Sequence, residues 1–276
     1  MTSATTAAAG GRVPAGRSIG ARLREWAPPI LLFVGFLVGW EIVVRTLGIS
    51  QFILPGPTAI ADAWVTYLPE ISAAARYTVV EIILGLIIGV TAGIAVGVVT
   101  ARYRPVQDSL MPFAVAASSV PILAFAPLFN NWFGLDSQLS KAMVAAVLCF
   151  FPVMINTVRG LTTVDPMSLE LLRSYATPES VVFRKLRVPN ALPYVFTALR
   201  LAVTLATIGA VVGEYFAAPR SSLGQYIATY SAFLNFERSW AAIVFACAIG
   251  IGLYLAVVLA ERAIAPWTSD RVAQAR

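Results

Sequence analysis

The residue types that perform most enzyme chemistry are scarce in this sequence of 276 residues. Histidine is absent, which excludes Ser-His-Asp catalysis, Cys-His catalysis and every zinc site built on imidazole. Cys149 and Cys247 both lie inside apolar runs, so we interpret them as small buried residues and not as a disulfide framework. Paired carboxylates or a Ser-Lys pair remain, and the long apolar segments contain no aspartate. An enzyme whose reactive serine is Ser118 or Ser119 is therefore the less favoured alternative.

The composition indicates a membrane protein. Charged residues make up 12% of the chain, hydrophobic residues make up 58%, and the mean hydropathy is +0.78. A soluble domain carries about twice that share of charge, and disordered chains and nucleic-acid-binding domains are more polar still. A span takes about 20 apolar residues, so roughly six spans fill the chain. We predict an all-α polytopic membrane protein with spans at about 27–47, 78–100, 110–130, 139–159, 196–217 and 239–261.

The positive charges are distributed unevenly between the segments that connect these spans. A basic, low-complexity tail over 1–26 is predicted to be disordered, a polar loop covers 160–195, and a short tail covers 268–276. Fourteen of the 20 lysines and arginines lie in segments on the N-terminal side of the membrane, and three lie on the other side. The positive-inside rule then places both termini and the polar loop in the cytoplasm, in a protein of the cell membrane. The net charge of +6 therefore indicates orientation in lipid and no nucleic-acid partner.

One face of the second predicted span carries a row of glycines at a spacing of four residues: Gly85, Gly89, Gly93 and Gly97. Glycines on one helix face allow another backbone to approach closely, so this helix is predicted to pack inside a bundle. The contact is either static packing or a moving contact in a transport cycle.

Polar residues inside the predicted spans are candidates for a translocation pathway. On the fifth span they recur at spacings of four, three and seven residues and form one stripe: Arg200, Thr204, Thr207 and Glu214. This stripe faces either a pathway or a subunit interface. Ser118 and Ser119 lie beside the proline-broken part of the third span, where they either face the pathway or bond their own backbone.

Other ionisable residues lie near the outer ends of the predicted spans. Glu81 and Lys141 are expected to snorkel there, with their charged groups reaching water. Glu41 and Arg45 are four residues apart on one helix face, so they are expected to pair with each other.

The 160–195 loop contains signals for two short helices. Asp165-Pro166 and Thr177-Pro178 each combine an N-cap residue with a proline at the first helical position. They predict helices over about 166–176 and 178–188. Two prolines are expected to end the second helix: Pro189 and Pro193.

The first of these helices carries an apolar stripe that consists of Met167, Leu171 and Tyr175. Such a stripe at the membrane surface indicates docking onto a soluble partner, although packing against the chain's own spans is an alternative. The second helix carries basic residues that are expected to anchor it at anionic lipid headgroups: Arg184, Lys185 and Arg187.

This loop resembles the cytoplasmic motif of ABC importer permeases of the six-span type I (MetI-like) fold. That motif reads E-A-A, three residues, G, nine residues, I-x-L-P. Glu170 and Pro189 match it at the required separation of 19 residues. The residues that depart from it are Leu171 and Leu172 in place of the alanines and Ala176 in place of the glycine. Without that glycine, Thr177-Pro178 is expected to make the turn.

Further stretches resemble the branch of this family that imports sulfonate, taurine, nitrate and thiamine-precursor pyrimidines. They occur in order over roughly residues 30–267: Leu54-Pro55-Gly56-Pro57, Val120-Pro121, Pro127-Leu128, Trp132-Phe133-Gly134, Val188-Pro189-Asn190-Ala191-Leu192-Pro193, Glu214 and Leu223-Gly224. No single stretch is specific, but the ordered set is.

The resemblance implies a non-catalytic permease subunit that forms half of a dimeric pathway in the lipid bilayer. A cytoplasmic ATPase dimer, which binds the ATP and Mg, would grip seven residues of the loop: Glu170, Leu171, Leu172, Tyr175, Ala176, Thr177 and Pro178. An extracytoplasmic binding protein would deliver a small organic or anionic nutrient. The chain has no G-x-x-x-x-G-K-[ST] motif and is expected to bind no cofactor itself. A secondary transporter that works without an ATPase is the alternative.

Overall fold

A computed structural model describes residues 19–216 and 222–266, and every regular element within them is helical. The chain divides into two compact units, Met1–Thr58 and Ala59–Arg276. In chain order the helices are α1 (Ile19–Thr46), α2 (Pro57–Thr66), α3 (Leu68–Arg102), α4 (Arg104–Ala117), α5 (Ala126–Phe133), α6 (Gln138–Thr162), α7 (Pro166–Ser174), α8 (Glu179–Val182), α9 (Val188–Phe216), α10 (Leu223–Ala232) and α11 (Phe236–Ile264). The predicted all-α class is confirmed.

The first unit is built on α1, in which most apolar side chains from Ile30 to Val43 are exposed, as a lipid-facing helix requires. α1 begins at Ile19, which corrects the predicted disordered tail over residues 19–26, where alanine, leucine, arginine and glutamate favour helix. Residues 1–18 and the predicted tail 268–276 lie outside the described residues. The predicted pair of Glu41 and Arg45 is confirmed at 2.6 Å, and the same carboxylate accepts the Thr58 backbone N–H at 3.1 Å.

The core of the second unit begins with two parallel helices, α3 and α6. Gly85 of α3 lies beside Ala145 of α6, and Gly97, farther along α3, lies beside Thr157. α3 has 35 residues and is about 50 Å long, so it is longer than the hydrocarbon core, which is about 30 Å thick. The predicted span 78–100 lies entirely within it.

α9 completes this core and runs antiparallel to α6, since Gly160 near the end of α6 lies beside Ala191 near the start of α9. The helices meet through mostly small buried residues: Ile82, Ala145, Cys149, Val153, Ala198, Ala202, Ala206 and Ala210. The bundle therefore has an α7 end, where α3 and α6 end and α9 begins, and an α10 end, where α9 ends. The burial predicted for Cys149 is confirmed, whereas Cys247 on α11 is exposed, which corrects its predicted burial.

The third predicted span, 110–130, is a bent pair of helical segments. α4 and the stretch Ile122–Phe133 pass the length and hydropathy test together but bend by 81°. Pro121, which has no N–H and restricts the residue before it, lies at the break. Because α3 and α6 are parallel, the chain has to return between them through this pair. Within residues 19–216 and 222–266, five helices are long and apolar enough to span a membrane, or six with the bent pair, which confirms the prediction of about six spans.

The prediction that Pro189 and Pro193 end a helix is wrong. Helical structure continues through both prolines, and Glu179–Phe216 qualifies as a single apolar stretch of 38 residues. A π turn, Phe183–Arg187, lies just before the first proline, and the Val188 N–H bonds the Phe183 carbonyl across it. The wider turn accommodates a residue that has no N–H to donate and whose ring crowds the preceding turn.

Candidate functional site

The segment between α6 and α9 begins with a capped helix. Asp165 is the N-cap of α7, and its carboxylate accepts the Ser168 hydroxyl at 2.6 Å and the Ser168 backbone N–H at 2.9 Å. These hydrogen bonds hold the pKa of the Asp165 carboxyl below its usual range. The cap is therefore present at neutral pH and is lost only as the pH falls through that lowered value. The predicted start of this helix is confirmed.

α7 turns its apolar stripe away from the rest of the chain. Met167 and Tyr175 are 77% and 75% exposed, Leu171 is also largely exposed, and no residue of the helix is buried. Glu170 is exposed beside them, and Leu172 is half-buried. The alternative that the stripe packs against the chain's own spans is thus not observed among the described residues.

α7 ends in a left-handed turn at Ala176, where φ is +50°. The Ala176 N–H bonds the Arg173 carbonyl at 2.9 Å, and the Thr177 N–H bonds the Leu172 carbonyl at 3.1 Å. This is the Schellman arrangement, which glycine favours because it has no Cβ. The expectation that Thr177-Pro178 makes the turn is wrong: alanine makes it at the position of the motif's glycine. Thr177 also does not cap the next helix, whose N-cap is Pro178.

A side chain from α9 fixes the base of this segment. The Asn190 amide donates to the Gly160 carbonyl at 2.9 Å and to the Thr163 carbonyl at 2.8 Å. It therefore satisfies carbonyls at the C-terminal end of α6, which have no partner inside that helix. Sequence analysis placed Asn190 in a family-like stretch but did not predict this role. The two sides of the α7 segment are thereby held at a fixed spacing.

The glycine row of α3 lies directly against the backbone of α6. A Cβ at Gly89 would lie 2.4 Å from the Ala146 carbonyl oxygen, and one at Gly93 would lie 2.8 Å from the Phe150 carbonyl oxygen. Gly85 and Gly97 are equally close to α6. The predicted close approach of a second backbone is therefore present, and any larger side chain would separate the two helices.

Three ionisable side chains from three different spans are buried together near the α10 end. Glu81 and Glu214 are 0% exposed and Lys141 is 1% exposed, so the expectation that Glu81 and Lys141 snorkel is wrong. We call these three residues the buried ionic cluster. Its lysine ammonium lies in the field of both glutamates and of Asp136, and it donates to the Leu135 carbonyl. The sequence did contain a signal, because Glu81 continues the four-residue spacing of the glycine row by one turn.

The buried ionic cluster also holds the start of α10. The Gly224 N–H donates to the Glu214 carboxylate at 2.7 Å, and the Leu223 N–H donates to the Thr78 hydroxyl at 3.1 Å. These are N–H groups of the first turn, which have no partner inside the helix. Two spans therefore supply the capping groups of a helix that lies outside them.

Thr204 and Thr207, the middle of the predicted polar stripe, line a cavity of about 500 Å³ between α9, α10 and α11. The cavity is mostly apolar, and Cys247, Gly250 and Tyr254 also line it. The two ends of the stripe lie elsewhere. Arg200 pairs with Glu261 of α11 at 2.7 Å, and Glu214 belongs to the buried ionic cluster.

Ser118 and Ser119 follow α4 and are exposed. The Ser118 hydroxyl donates to the Val115 carbonyl at 2.7 Å, which is the backbone bond that the sequence left open as an alternative. Neither serine lines the cavity formed by α9, α10 and α11. Their proposed place on a pathway stays a prediction.

The described fold defines a class: a multi-pass helical membrane protein with a short, capped helix exposed between two of its spans. The chain belongs to the family described as binding-protein-dependent transport system inner membrane component, which matches residues 85–270. This result confirms the resemblance to ABC importer permeases.

Individual relatives show which branch the chain resembles. It is 32% identical to the formylaminopyrimidine transport permease protein ThiX of Halalkalibacterium halodurans, over 87% of this chain and 95% of that protein. It is 31% identical to the riboflavin transport system permease protein RibX of Chloroflexus aurantiacus, over 89% and 92%. It is 27% identical to the putative aliphatic sulfonates transport permease protein SsuC of Bacillus subtilis, over 89% of each chain. The predicted sulfonate and pyrimidine branch is confirmed.

Proposed function

We propose that this chain is the permease subunit of an ATP-driven importer and that a cytoplasmic ATPase docks on α7. The exposed stripe of Met167, Leu171 and Tyr175, with Glu170 beside it, is the observation that carries this proposal. A soluble protein surface can cover such a stripe, and isolated apolar patches of this kind mark interaction sites. α7 and the flanking basic residues lie in the cytoplasm, and both termini lie on the same side.

The rest of the assembly follows from this docking. Two permease copies form the pathway, an extracytoplasmic binding protein delivers the substrate, and ATP and Mg bind to the ATPase. The base at Asn190 holds α7 rigidly on α6 and α9, so movement of a docked ATPase is transmitted to the spans. The lining of the pathway includes Thr204 and Thr207, which face a cavity, and the remaining predicted positions are Ser118, Ser119, Arg200 and Glu214.

The transported molecule is a small organic or anionic nutrient. Sequence identity is slightly higher to the permeases named for formylaminopyrimidine and riboflavin than to the one named for sulfonates. We therefore favour a nitrogen heterocycle, a thiamine-precursor pyrimidine first, over a sulfonate, taurine or nitrate.

Charge reversal on α7 tests the docking. Glu170→Lys should abolish co-purification of the ATPase and ATP-dependent uptake in proteoliposomes, while the amount of inserted permease stays the same. Asp108→Lys is the matched control, since Asp108 is also an exposed carboxylate near the α7 end, on α4. Normal uptake by Glu170→Lys would refute docking at α7. Uptake by the purified permease alone, driven by an ion gradient, would instead establish the secondary transporter.

A further inference from the structure

A second cavity, of about 770 Å³, opens at the α7 end of the bundle. It lies between the end of α3, the start of α4, the end of α6 and the π turn that precedes α9. Four arginines contribute to its lining: Arg102, Arg104, Arg184 and Arg187. We call this the basic cavity. Its walls come from four separate parts of the second unit, and tertiary packing alone assembles it.

The basic cavity has an excess of positive charge. Glu179 is the one carboxylate that the described part of the chain contributes to its lining, and it pairs with Arg187 at 3.1 Å. Among the residues that the structure describes, no carboxylate lies within ion-pair distance of Arg102, Arg104 or Arg184. Three arginines therefore line one space without a counter-charge among the described residues. A guanidinium group can donate two parallel hydrogen bonds to the oxygens of one phosphate group. A phosphate-bearing anion is therefore the ligand that best complements these arginines.

The basic cavity also has an apolar wall, which narrows the class of ligand. Val98 and Val99 of α3 and Phe183 of the π turn line it beside the arginines. Val99 is 56% exposed, so this apolar wall is accessible near the C-terminal end of the apolar part of α3. An inorganic anion or a soluble phosphate ester would leave that wall bare. A ligand that fits both walls has an anionic head and an apolar tail.

We propose that the basic cavity binds an anionic phospholipid, with Arg102, Arg104 and Arg184 around its phosphate and the valine wall against its first methylene groups. Basic pockets between spans on the cytoplasmic side are suited to anionic headgroups. The leaflet assigned here rests on the orientation in the proposed function. The binding itself needs neither the ATPase nor the substrate.

The position of the basic cavity gives the bound lipid a consequence for coupling. Leu161 and Thr162, just before α7, and Glu179, just after it, belong to its lining. Arg102 and Arg104 stand on either side of the elbow between α3 and α4. A headgroup bound by these residues connects the elbow between α3 and α4 to the residues that flank α7. Anionic lipid should therefore raise ATP-dependent uptake through the docked ATPase.

The test compares two double variants of the full chain in nanodiscs of phosphatidylglycerol mixed with phosphatidylcholine. Arg102→Gln/Arg184→Gln removes two charges from the basic cavity. Arg159→Gln/Arg262→Gln removes two exposed charges from the same end of the bundle outside the cavity. Retention of phosphatidylglycerol on the released protein is measured by native mass spectrometry, and the helical circular dichroism signal verifies folding.

We expect the cavity variant to bind phosphatidylglycerol about 30-fold more weakly, and the control variant to bind it as the parent does. Equal loss in both variants would overturn the proposal, because it would show a general surface-charge effect. Full displacement of the lipid by millimolar glycerol 3-phosphate would also overturn it, because the apolar wall would then contribute nothing. Retained lipid binding in Glu170→Lys, which should lose the ATPase, separates this site from docking on α7.

Discussion

The two ends of the helical bundle depart from the usual distribution of side chains in opposite directions. At the α7 end, Met167 and Tyr175 expose apolar surface on a helix that has no buried residue. At the α10 end, Glu81, Lys141 and Glu214 bury their charged groups completely. An apolar stripe exposed outside the spans favours a protein partner, whereas buried charges require neighbours within the fold.

The supporting contacts differ in the same way. At the α7 end, the polar side chains of Asp165 and Asn190 bond backbone groups at the start of α7 and the end of α6. They leave the apolar stripe of α7 uncovered. At the α10 end, Glu214 and Thr78 use their polar atoms inward on the first turn of α10. The α7 end therefore leaves an apolar surface uncovered, and the α10 end joins helices of this chain to one another. Substitutions at the two ends should differ accordingly: loss of folding at the α10 end and loss of binding at the α7 end.

The largest effect is expected at the buried ionic cluster. Lys141→Met removes the cation and leaves Glu81 and Glu214 buried near each other without it. This should destabilise the fold by about 1–3 kcal/mol, because the hydrogen bond to the Leu135 carbonyl and the attraction to the buried carboxylates are both lost. The yield of monodisperse protein and its thermal unfolding temperature in detergent measure this effect. Lys185→Met, at an exposed lysine, is the control and should leave both unchanged; an unaffected Lys141→Met would mean that the cluster is not held by its charges.

An intermediate effect is expected at the α7 stripe, on binding and not on folding. Tyr175→Ala should weaken ATPase binding about tenfold or more, because large exposed aromatic side chains often dominate an interface. Thermal unfolding of the permease alone should not change. Phe233→Ala removes an aromatic side chain with almost the same exposure, 76% against 75%, near the α10 end. If both variants lower ATPase affinity equally, the contrast between the two ends fails.

The smallest effect is expected at the turn that ends α7. Ala176 has a φ of +50°, which costs an L-residue about 1–2 kcal/mol relative to the right-handed region. Ala176→Gly should therefore stabilise the segment, by about 1 kcal/mol or less once the greater freedom of unfolded glycine is counted. Hydrogen exchange of the α7 amides measures this local change. Ala116→Gly, inside α4, should have the opposite sign, and slower exchange in both variants would contradict the assignment of strain to Ala176.

Much of the architecture could be predicted because it depends on local sequence. The spans follow from hydropathy, and the start of α7 follows from Asp165-Pro166, where one carboxylate caps its own helix. The glycine row of α3 predicted a close helix contact, since the spacing of residues along a helix decides which of them share a face. The exposed stripe on α7 was also readable as a pattern, although the choice between a partner and the chain's own spans was not.

Other features depend on packing between distant parts of the chain. Whether Glu81 and Lys141 reach water or face each other depends on which side of α3 meets α6. The helix through Pro189 and Pro193 depends on a π turn whose geometry no residue type specifies. Arg200 pairs with Glu261 because α11 runs antiparallel to α9 and brings its C-terminal end beside the N-terminal half of α9.

By itself the sequence determined the membrane class, the number of spans and the capped helix with its apolar stripe, since hydropathy, helix capping and residue spacing act over a few turns. Only the tertiary structure decided which charged side chains are buried and which groups they contact. The free energy of a charge depends on what surrounds it within a few ångströms, and in this chain those surroundings come from three or four different helices.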